Sequence, residues 1–190
     1  IPPTSPAALP TPTASPTPTP APEADPQVII GRSAEGRPIT ATGIGAGTIY
    51  LALVGDIHGD FEANTYTLVQ QIQEHFLAHP DQVPATVRLW FIPTMNPDGL
   101  ASERRWNAND VDLNRNADTD LDGCAGNDWS PDTVGHEGPH PGAGGAYPFS
   151  EPESRAIRDF LDDAWIAVFY HSAAEAIFVD SCQRHLPTGR

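Results

Sequence analysis

The sequence is poor in positive charge and in cysteine, and it contains no long apolar run. Its 190 residues carry 10 Lys or Arg against 25 Asp or Glu, a formal net charge of −15. That charge has the wrong sign for binding nucleic acid, and neither a signal peptide nor a membrane span is visible. The two cysteines, Cys124 and Cys182, are compatible with one disulfide or with two free thiols. The composition therefore favours one acidic globular domain with a core of its own.

Residues 1–26 differ in composition from the rest. They hold ten prolines among Thr, Ser and Ala, and such a tract cannot bury enough apolar surface to offset its ordering entropy. We therefore predict a disordered linker at 1–26 and a folded domain at 27–190. Tracts of this kind commonly tether exported domains, so we expect a secreted, extracellular or cell-envelope location. Because the chain begins with Ile1 rather than Met, we expect an upstream segment that was removed or is not included.

Strand and helix signals alternate after the linker. Apolar, β-branched runs predict a hairpin over 27–45 that turns at Glu35 and Gly36, and strands at 48–55, 85–94, 165–171 and 176–181. Helical spacing predicts one helix that ends near residue 79 and another at 150–163, with Ser150 as its N-cap and Glu153 in a capping box. Asn-Pro-Asp-Gly at 96–99 predicts a turn, and 101–147 is expected to be loop. The alternation predicts an α/β sandwich.

Two histidines follow predicted strands, His58 in GDIHGDFEANT and His171 in AVFYHSAAE. Open α/β sheets place their chemistry at the carboxyl ends of strands, so these side chains can converge. A catalytic zinc takes three protein ligands, and His, His, Glu is a usual set. We choose Glu62 as the carboxylate, with Asp60 as the rival. Alternatively, both histidines are hydrogen-bonded core residues and Glu62 only caps a helix N-terminus.

Five motifs occur in a fixed order along the chain: IGRSAEGRPI at 30–39, NPDG at 96–99, RRWNANDVDLNRN at 104–116, PFSEPESRAI at 148–157 and YHS at 170–172. In these motifs the sequence resembles the zinc metallocarboxypeptidases of the carboxypeptidase A and B type, from about residue 28 to the end. The resemblance implies a mixed β-sheet sandwiched by helices, C-terminally incomplete in this chain. It also implies a zinc-dependent protease that acts on peptide or protein C-termini.

The resemblance further implies a set of zinc ligands. His58 and Glu62 match the first two ligands of the family, and His171 matches the third. The family motif has two residues between the first His and the Glu, whereas three intervene here. The second ligand is therefore Glu62, reached through a one-residue bulge, or Asp60. We prefer Glu62, because its longer side chain absorbs an extra residue more easily.

Arginine and amide side chains in RRWNANDVDLNRN supply the remaining implied roles. Asn114 and Arg115 match the pair that holds the substrate's terminal carboxylate, a group that suits the planar fork of guanidinium. Arg105 matches the arginine that polarises the scissile carbonyl and meets its developing negative charge. Alternatively, the arginines only neutralise the acidic residues around them, Asp110, Asp112, Asp118, Asp120 and Asp122.

Two further segments imitate metal sites. HEGPH at 136–140 matches H-E-x-x-H, which works only on a helix, and Gly138 and Pro139 break any helix there. DTDLDG at 118–123 matches the opening of a calcium loop, but Trp129 at the twelfth position excludes an ordinary EF-hand. A weaker calcium site over Asp118–Asp122 stays open. A Cys124–Cys182 disulfide would tie the long loop to the sheet near the proposed site.

Three functions are compatible with these observations: an exported zinc exopeptidase, a peptidoglycan-peptide amidohydrolase of the same fold, and a catalytically incomplete zinc-binding domain used for recognition. The third rests on the end of the chain. In the family, the general-base glutamate lies well downstream of the third zinc ligand, and only nineteen residues follow His171 here. Glu175 does not match that glutamate in position. We therefore expect a fragment with little or no activity of its own.

Overall fold

The computed structural model describes residues 27–117, 129–135, 138–173 and 177. Strands and helices are numbered in chain order: β1 Val28–Arg32, β2 Pro38–Ile44, β3 Ile49–Val54, α1 Asn64–Ala78, β4 Val87–Ile92, α2 Pro97–Ser102, β5 Thr133–Gly135, β6 Gly138–His140, α3 Pro152–Leu161 and β7 Ile166–Phe169. Short 3-10 turns span Phe61–Ala63, Pro80–Gln82 and Leu113–Arg115. Within these residues no helix is both long and apolar enough to cross a membrane.

A five-stranded mixed sheet organises the domain, in the order β1-β2-β4-β3-β7. β1 pairs antiparallel with β2, and β2 antiparallel with β4. β3 lies in the centre of a parallel group, between β4 and β7. The three parallel strands end at the same edge of the sheet, so the residues that follow β3, β4 and β7 lie near one another there.

Each face of the sheet is covered by a helix. α1 supplies Val69, Ile72 and Phe76 to a core that includes Ile44, Leu89 and Phe91. α3 supplies Ile157, which packs on the opposite face against Ile39, Ala41, Val54 and Ile92. This arrangement confirms the mixed sheet sandwiched by helices.

The contact between β1 and α3 is close enough to require glycine. A Cβ atom at Gly31 would lie 2.3 Å from the Cβ of Ala156. A side chain at position 31 would therefore push α3 away from the sheet.

Most predicted elements are present, with shorter bounds. The hairpin over 27–45 and the strands at 48–55, 85–94 and 165–171 are confirmed as β1 to β4 and β7. Within 101–147, the described residues contain the end of α2, the 3-10 turn Leu113–Arg115 and the small β5–β6 hairpin. The linker at 1–26 lies outside the described residues, as does the strand expected at 176–181 apart from Ile177.

Two local predictions are wrong. The segment predicted as a turn at 96–99 instead begins α2, because the side chain of Asn96 accepts a hydrogen bond from the Gly99 N–H and Pro97 occupies the first turn. The predicted capping box of α3 is also not formed. Glu151 is the N-cap residue, and the Ser150 hydroxyl donates to the Glu151 carboxylate. The carboxylate of Glu153 accepts hydrogen bonds from Ala34 and Asn107.

Candidate metal centre

Three predicted ligands converge beyond the carboxyl ends of β3 and β7. His58 follows β3, Glu62 lies in the 3-10 turn Phe61–Ala63 that leads into α1, and His171 follows β7. Ligand atoms of the three residues all lie within 4.8 Å of one another. Among the residues that the structure describes, no other group of three or more His, Cys, Asp or Glu side chains comes together in this way.

Glu62 is almost fully buried, at 2 % exposure, and its contacts hold it as a carboxylate. Its Oε2 accepts hydrogen bonds from Nδ1 of His171 at 2.9 Å and from the Ser172 N–H at 3.2 Å. Burial acts to raise the pKa of Glu62, but these hydrogen bonds and the neighbouring imidazoles lower it by more, so its pKa lies below the ordinary value. The group is therefore anionic at neutral pH, the form that binds a cation.

His58 is 1 % exposed, and burial lowers the pKa of its imidazole, with the charge of Arg105 acting in the same direction. The ring is therefore neutral near pH 7, as metal ligation requires. Its Nδ1 is buried and has no hydrogen-bond partner within the described part of the chain. The nearest carboxylate oxygen, Oδ1 of Asp112, lies 3.8 Å away.

The extra residue between His58 and Glu62 is absorbed by the 3-10 turn. Asp60 is the N-cap of that turn, and its Oδ1 accepts a hydrogen bond from the Glu62 N–H. The geometry thus brings Glu62, and not its rival Asp60, to the two histidines. Gly59 packs directly on α2, where an added Cβ would lie 2.0 Å from the carbonyl carbon of Gly99. This close contact fixes the path of the chain between His58 and Asp60.

Arg105 lies beside the histidine cluster and is mostly buried. Its Nη1 is 3.7 Å from Oε1 of Glu62, while Nε and Nη2 lie 3.2 and 3.1 Å from Oδ2 of Asp112. The other oxygen of Asp112 accepts a hydrogen bond from the Asn114 N–H. One buried carboxylate therefore orients the arginine and shapes the turn that follows.

Sequence reasoning treated Asp112 only as a member of a local group of acidic residues. A signal was available, because Asp112 lies two residues before Asn114 and seven after Arg105, both predicted site residues. Its burial and its closeness to His58 became visible only with the fold.

Asn114 and Arg115 lie in the 3-10 turn Leu113–Arg115, and both are exposed. The Nη1 of Arg115 donates a hydrogen bond to the carbonyl of Asn114. Asp112 begins this turn as its N-cap. The pair is thus adjacent in sequence to the buried cluster and presents its polar groups to solvent, where a ligand can reach them.

The donor set fits zinc. Two imidazoles and one carboxylate are a usual set of protein ligands for a catalytic zinc. The orphaned Nδ1 of His58 supports this assignment, because a buried polar atom without a partner is costly unless a ligand satisfies it. Asp60 Oδ1 already accepts a hydrogen bond from the Glu62 N–H, whereas Nδ1 of His58 has no partner among the described residues.

Several predicted features lie outside the described residues: the calcium loop at Asp118–Asp122, Cys124 and Cys182 with their disulfide, Glu175, and His136 with Glu137 of HEGPH. The described part of HEGPH, Gly138–His140, is strand β6 and not helix. The His140 ring packs edge-on against Trp106, with centroids 5.0 Å apart. The described residues of this segment therefore lack the helical geometry of an H-E-x-x-H zinc site.

Comparisons with known proteins agree with the architecture. The sequence profile of the zinc carboxypeptidase family matches residues 21–180. Among solved structures, the carboxypeptidase A from Helicoverpa armigera is similar with a TM-score of 0.60 and 22% identity, over 78% of this chain and 41% of that chain. Bovine thrombin-activatable fibrinolysis inhibitor is similar with a TM-score of 0.61 and 19% identity, over 77% of this chain and 53% of that chain.

The murein-tripeptide amidase MpaA from Escherichia coli O157 is also similar, with a TM-score of 0.54 and 25% identity over 77% of this chain and 60% of that chain. No curated protein sequence matches the chain. The chain thus spans between 41% and 60% of the length of these three solved structures.

Proposed function

The chain belongs to the zinc carboxypeptidase family, and from that premise we propose that it holds Zn²⁺ through His58, Glu62 and His171 and serves in hydrolysing the amide bond before the last residue of a peptide. The observation that carries this proposal is the convergence of the three ligand atoms within 4.8 Å. A zinc ion bound there would supply a Lewis acid and a water whose pKa is lowered toward 7.

Two arginines would contact different groups of the substrate. Arg105, fixed by Asp112 at the edge of the centre, meets the negative charge that develops on the carbonyl oxygen of the scissile bond. Arg115 and Asn114 hold the free carboxylate of the substrate's last residue, for which the exposed guanidinium offers two parallel hydrogen bonds. The pair thereby selects a chain end over an internal bond.

Zinc binding is tested first. In His171→Ala the zinc content after equilibration with a slight excess of metal should fall sharply, because one of three ligands of the centre is lost. The matched control is His140→Ala, which removes a histidine that packs on Trp106 outside the centre. Equal losses in both variants would move the zinc site to the HEGPH segment.

Asn114 and Arg115 together form the proposed carboxylate clamp. It is tested by measuring dipeptide binding, which does not require turnover. Arg115→Ala should lower the affinity for a blocked dipeptide with a free C-terminus by about tenfold or more, since charge-assisted hydrogen bonds are worth about 1.5–3 kcal/mol. The amidated dipeptide should bind the variant and the parent alike. Arg158→Ala, which removes another exposed arginine, is the control. Equal losses on both dipeptides would argue against a carboxypeptidase.

A second candidate is an amidase that acts on cell-wall peptides. The similarity to MpaA, described as a murein-tripeptide amidase, favours this candidate over a domain that only recognises peptides. The clamp formed by Asn114 and Arg115 accommodates either substrate, because a wall peptide also ends in a carboxylate. Competition between a murein tripeptide and blocked dipeptides with Lys, Phe, Leu or Glu termini distinguishes the two enzymes by their relative affinities.

Turnover distinguishes both enzymes from a zinc-binding recognition domain. We propose that residues 1–190 bind zinc and a C-terminal carboxylate but cleave slowly or not at all, because Glu175 does not match the family's general-base glutamate in position. A positioned base contributes about 10²–10⁴-fold to a rate. Zinc-dependent turnover of blocked dipeptides by the 190-residue chain within tenfold of a zinc carboxypeptidase that has its general base would contradict this.

We further propose an exported location, supported by the proline, threonine and serine tract of residues 1–26. Fractionation of the source cells with an antibody against the domain tests it. Recovery in the cytoplasm alone would contradict the proposal.

A further inference from the structure

A second group of histidines lies at the far end of α1, away from the candidate metal centre in sequence and in the fold. His75 is in the last turn of the helix, and His79 is its C-cap residue. Both are exposed, and their rings lie nearly parallel, with centroids 4.7 Å apart and an angle of 24° between the planes. For comparison, the centroids of His58 and His171 are 5.3 Å apart.

Each of these rings has one nitrogen committed to an oxygen acceptor. Nδ1 of His79 lies 2.9 Å from the carbonyl oxygen of His75, and Nε2 of His75 lies 2.9 Å from Oε1 of Gln82. Because carbonyl and amide oxygens only accept, the ring nitrogens facing them carry the protons. In the neutral imidazoles the lone pairs are therefore on Nε2 of His79 and Nδ1 of His75.

Those two lone pairs are uncommitted: among the described residues no hydrogen bond is made to either nitrogen. A histidine that binds a metal almost always donates its other ring N–H to a carbonyl, carboxylate or water, which fixes the tautomer and strengthens the ligand. Both rings already have this arrangement. His75 and His79 are also four residues apart at the C-terminal end of α1, the spacing of the two histidines in H-E-x-x-H metal sites.

The local electrostatics favour a cation. The last carbonyls of α1 carry partial negative charge, and the chain as a whole has a net charge of −15. Because both side chains are exposed, an ion can reach the two rings directly from solvent.

We propose that His75 and His79 form a second, surface metal site that binds a divalent transition-metal ion, Cu²⁺, Ni²⁺ or Zn²⁺, with water in the remaining positions. Imidazole nitrogen suits these ions. With two protein ligands instead of three, the site binds zinc more weakly than the His58, Glu62 and His171 centre does. The proposal does not depend on any catalytic activity of the chain.

Cu²⁺ is the most sensitive probe, because it binds nitrogen ligands more strongly than the other divalent ions of the series. The experiment uses the 190-residue His171→Ala variant freed of metal, so that the candidate zinc centre is disabled. Cu²⁺ is followed by electron paramagnetic resonance, in which nitrogen couplings report imidazole ligands, and by equilibrium binding at pH 7.5. We expect one equivalent with the spectrum of two nitrogen ligands.

Adding His75→Gln or His79→Gln to that background should weaken Cu²⁺ binding at least about tenfold and remove one nitrogen from the spectrum. Gln82→Ala leaves both ligands but removes the acceptor for His75, so a smaller, several-fold loss is expected. His140→Gln should change nothing. Far-ultraviolet circular dichroism checks that each variant is folded. If His75→Gln and His79→Gln bind Cu²⁺ as the background does, the proposal is wrong, and equal weakening by His140→Gln would overturn it as well.

Discussion

Two clusters of buried carboxylates in this domain differ in how far the protein itself satisfies them. The first, the hairpin anchor, consists of the turn 33–37 between β1 and β2 with Asp98 of α2 and Glu153 of α3. Both oxygens of Asp98 accept hydrogen bonds, from the Ser33 hydroxyl, the Glu35 N–H and the Arg37 guanidinium. Glu153 accepts from the Ala34 N–H and from Asn107.

In the second cluster, the candidate metal centre, some polar atoms have no hydrogen-bond partner among the described residues. Oε1 of Glu62 accepts no hydrogen bond from the described residues, and Nη1 of Arg105 lies 3.7 Å from it, a distance too long for a hydrogen bond. Nδ1 of His58 has no partner within the described residues. The carboxylates Asp98, Glu153 and Glu62 are similarly buried, so the two clusters differ in how many hydrogen bonds their polar atoms receive. A saturated cluster stabilises the fold, whereas an unsaturated one carries a cost that a ligand can remove.

The largest effect should come from removing a ligand at the unsaturated cluster. Glu62→Gln replaces the anionic oxygens by an amide, and we expect zinc affinity to fall by more than about 100-fold, beyond what loss of a hydrogen-bonding partner of a ligand typically costs. Equilibrium competition with a chromophoric chelator measures it.

Two variants sharpen this test. Asp60→Asn should have a far smaller effect on zinc affinity, because Asp60 only caps the 3-10 turn Phe61–Ala63. Asp98→Asn, in the hairpin anchor, should leave zinc affinity unchanged. A larger loss in Asp60→Asn than in Glu62→Gln would make Asp60 the ligand.

The saturated cluster should control stability instead. Asp98→Ala leaves the buried Ser33 hydroxyl and the Glu35 N–H without their acceptor, and we expect a loss of about 2–3 kcal/mol in the free energy of unfolding. Urea denaturation measures it. Asp159→Ala, which removes an exposed carboxylate paired with Arg158, should change stability by less than about 0.5 kcal/mol. Equal effects of the two substitutions would show that the hairpin anchor contributes no more than a surface ion pair.

The same comparison explains which features the sequence could predict. The strands and the helices α1 and α3 follow from local periodicity, because their apolar spacing is a property of neighbouring residues. The pairing of His58 with His171 was predictable from their positions after parallel strands, since such strands end at one edge of the sheet. The choice of Glu62 over Asp60 depended on side-chain length, and in the structure Glu62, in the 3-10 turn Phe61–Ala63, lies beside the two histidines.

The remaining features depend on partners far away in sequence. Ser150 and Glu153 have the pattern of a capping box, yet the Glu153 carboxylate accepts a hydrogen bond from the Ala34 N–H, 119 residues away. Asp98 was assigned only to a turn, and its partners lie 61 to 65 residues before it. Asp112 contacts His58 across the fold. Such competition between local and distant partners leaves no periodic signal in the sequence.

Asp112 combines features of the two clusters. It lies at the metal centre, but both of its oxygens accept hydrogen bonds, from Arg105 and from the Asn114 N–H. Asp112→Asn keeps an acceptor for the Asn114 N–H but removes the charge that holds Arg105 and faces His58. We expect zinc affinity to fall by about 10–100-fold, with little change in unfolding temperature. Asp110→Asn, which removes an exposed carboxylate paired with Arg104, is the matched control. Unchanged zinc affinity in Asp112→Asn would make that residue purely structural.

The smallest expected effect is on the pH dependence of the free energy of unfolding. It tests the hairpin anchor alone and needs no bound metal or substrate. Burial acts to raise the pKa of Asp98, but hydrogen bonds from Ser33, the Glu35 N–H and Arg37 lower it by more, so its pKa in the folded state lies below 3.8. Between that value and 3.8 the unfolded chain binds more protons than the folded one, so the contribution of Asp98 is fully present above this window and is lost as the pH falls through it.

Asp98→Asn removes the titrating group. The difference in unfolding free energy between parent and variant should therefore be constant from pH 7 to about 5 and should shrink as the pH falls below about 4. Urea denaturation at a series of pH values measures that difference, which cancels the titration of all groups common to both proteins. A difference that stayed constant down to pH 2.5 would mean that Asp98 has the same pKa in the folded and unfolded chains, so that the hairpin anchor does not favour its ionised form.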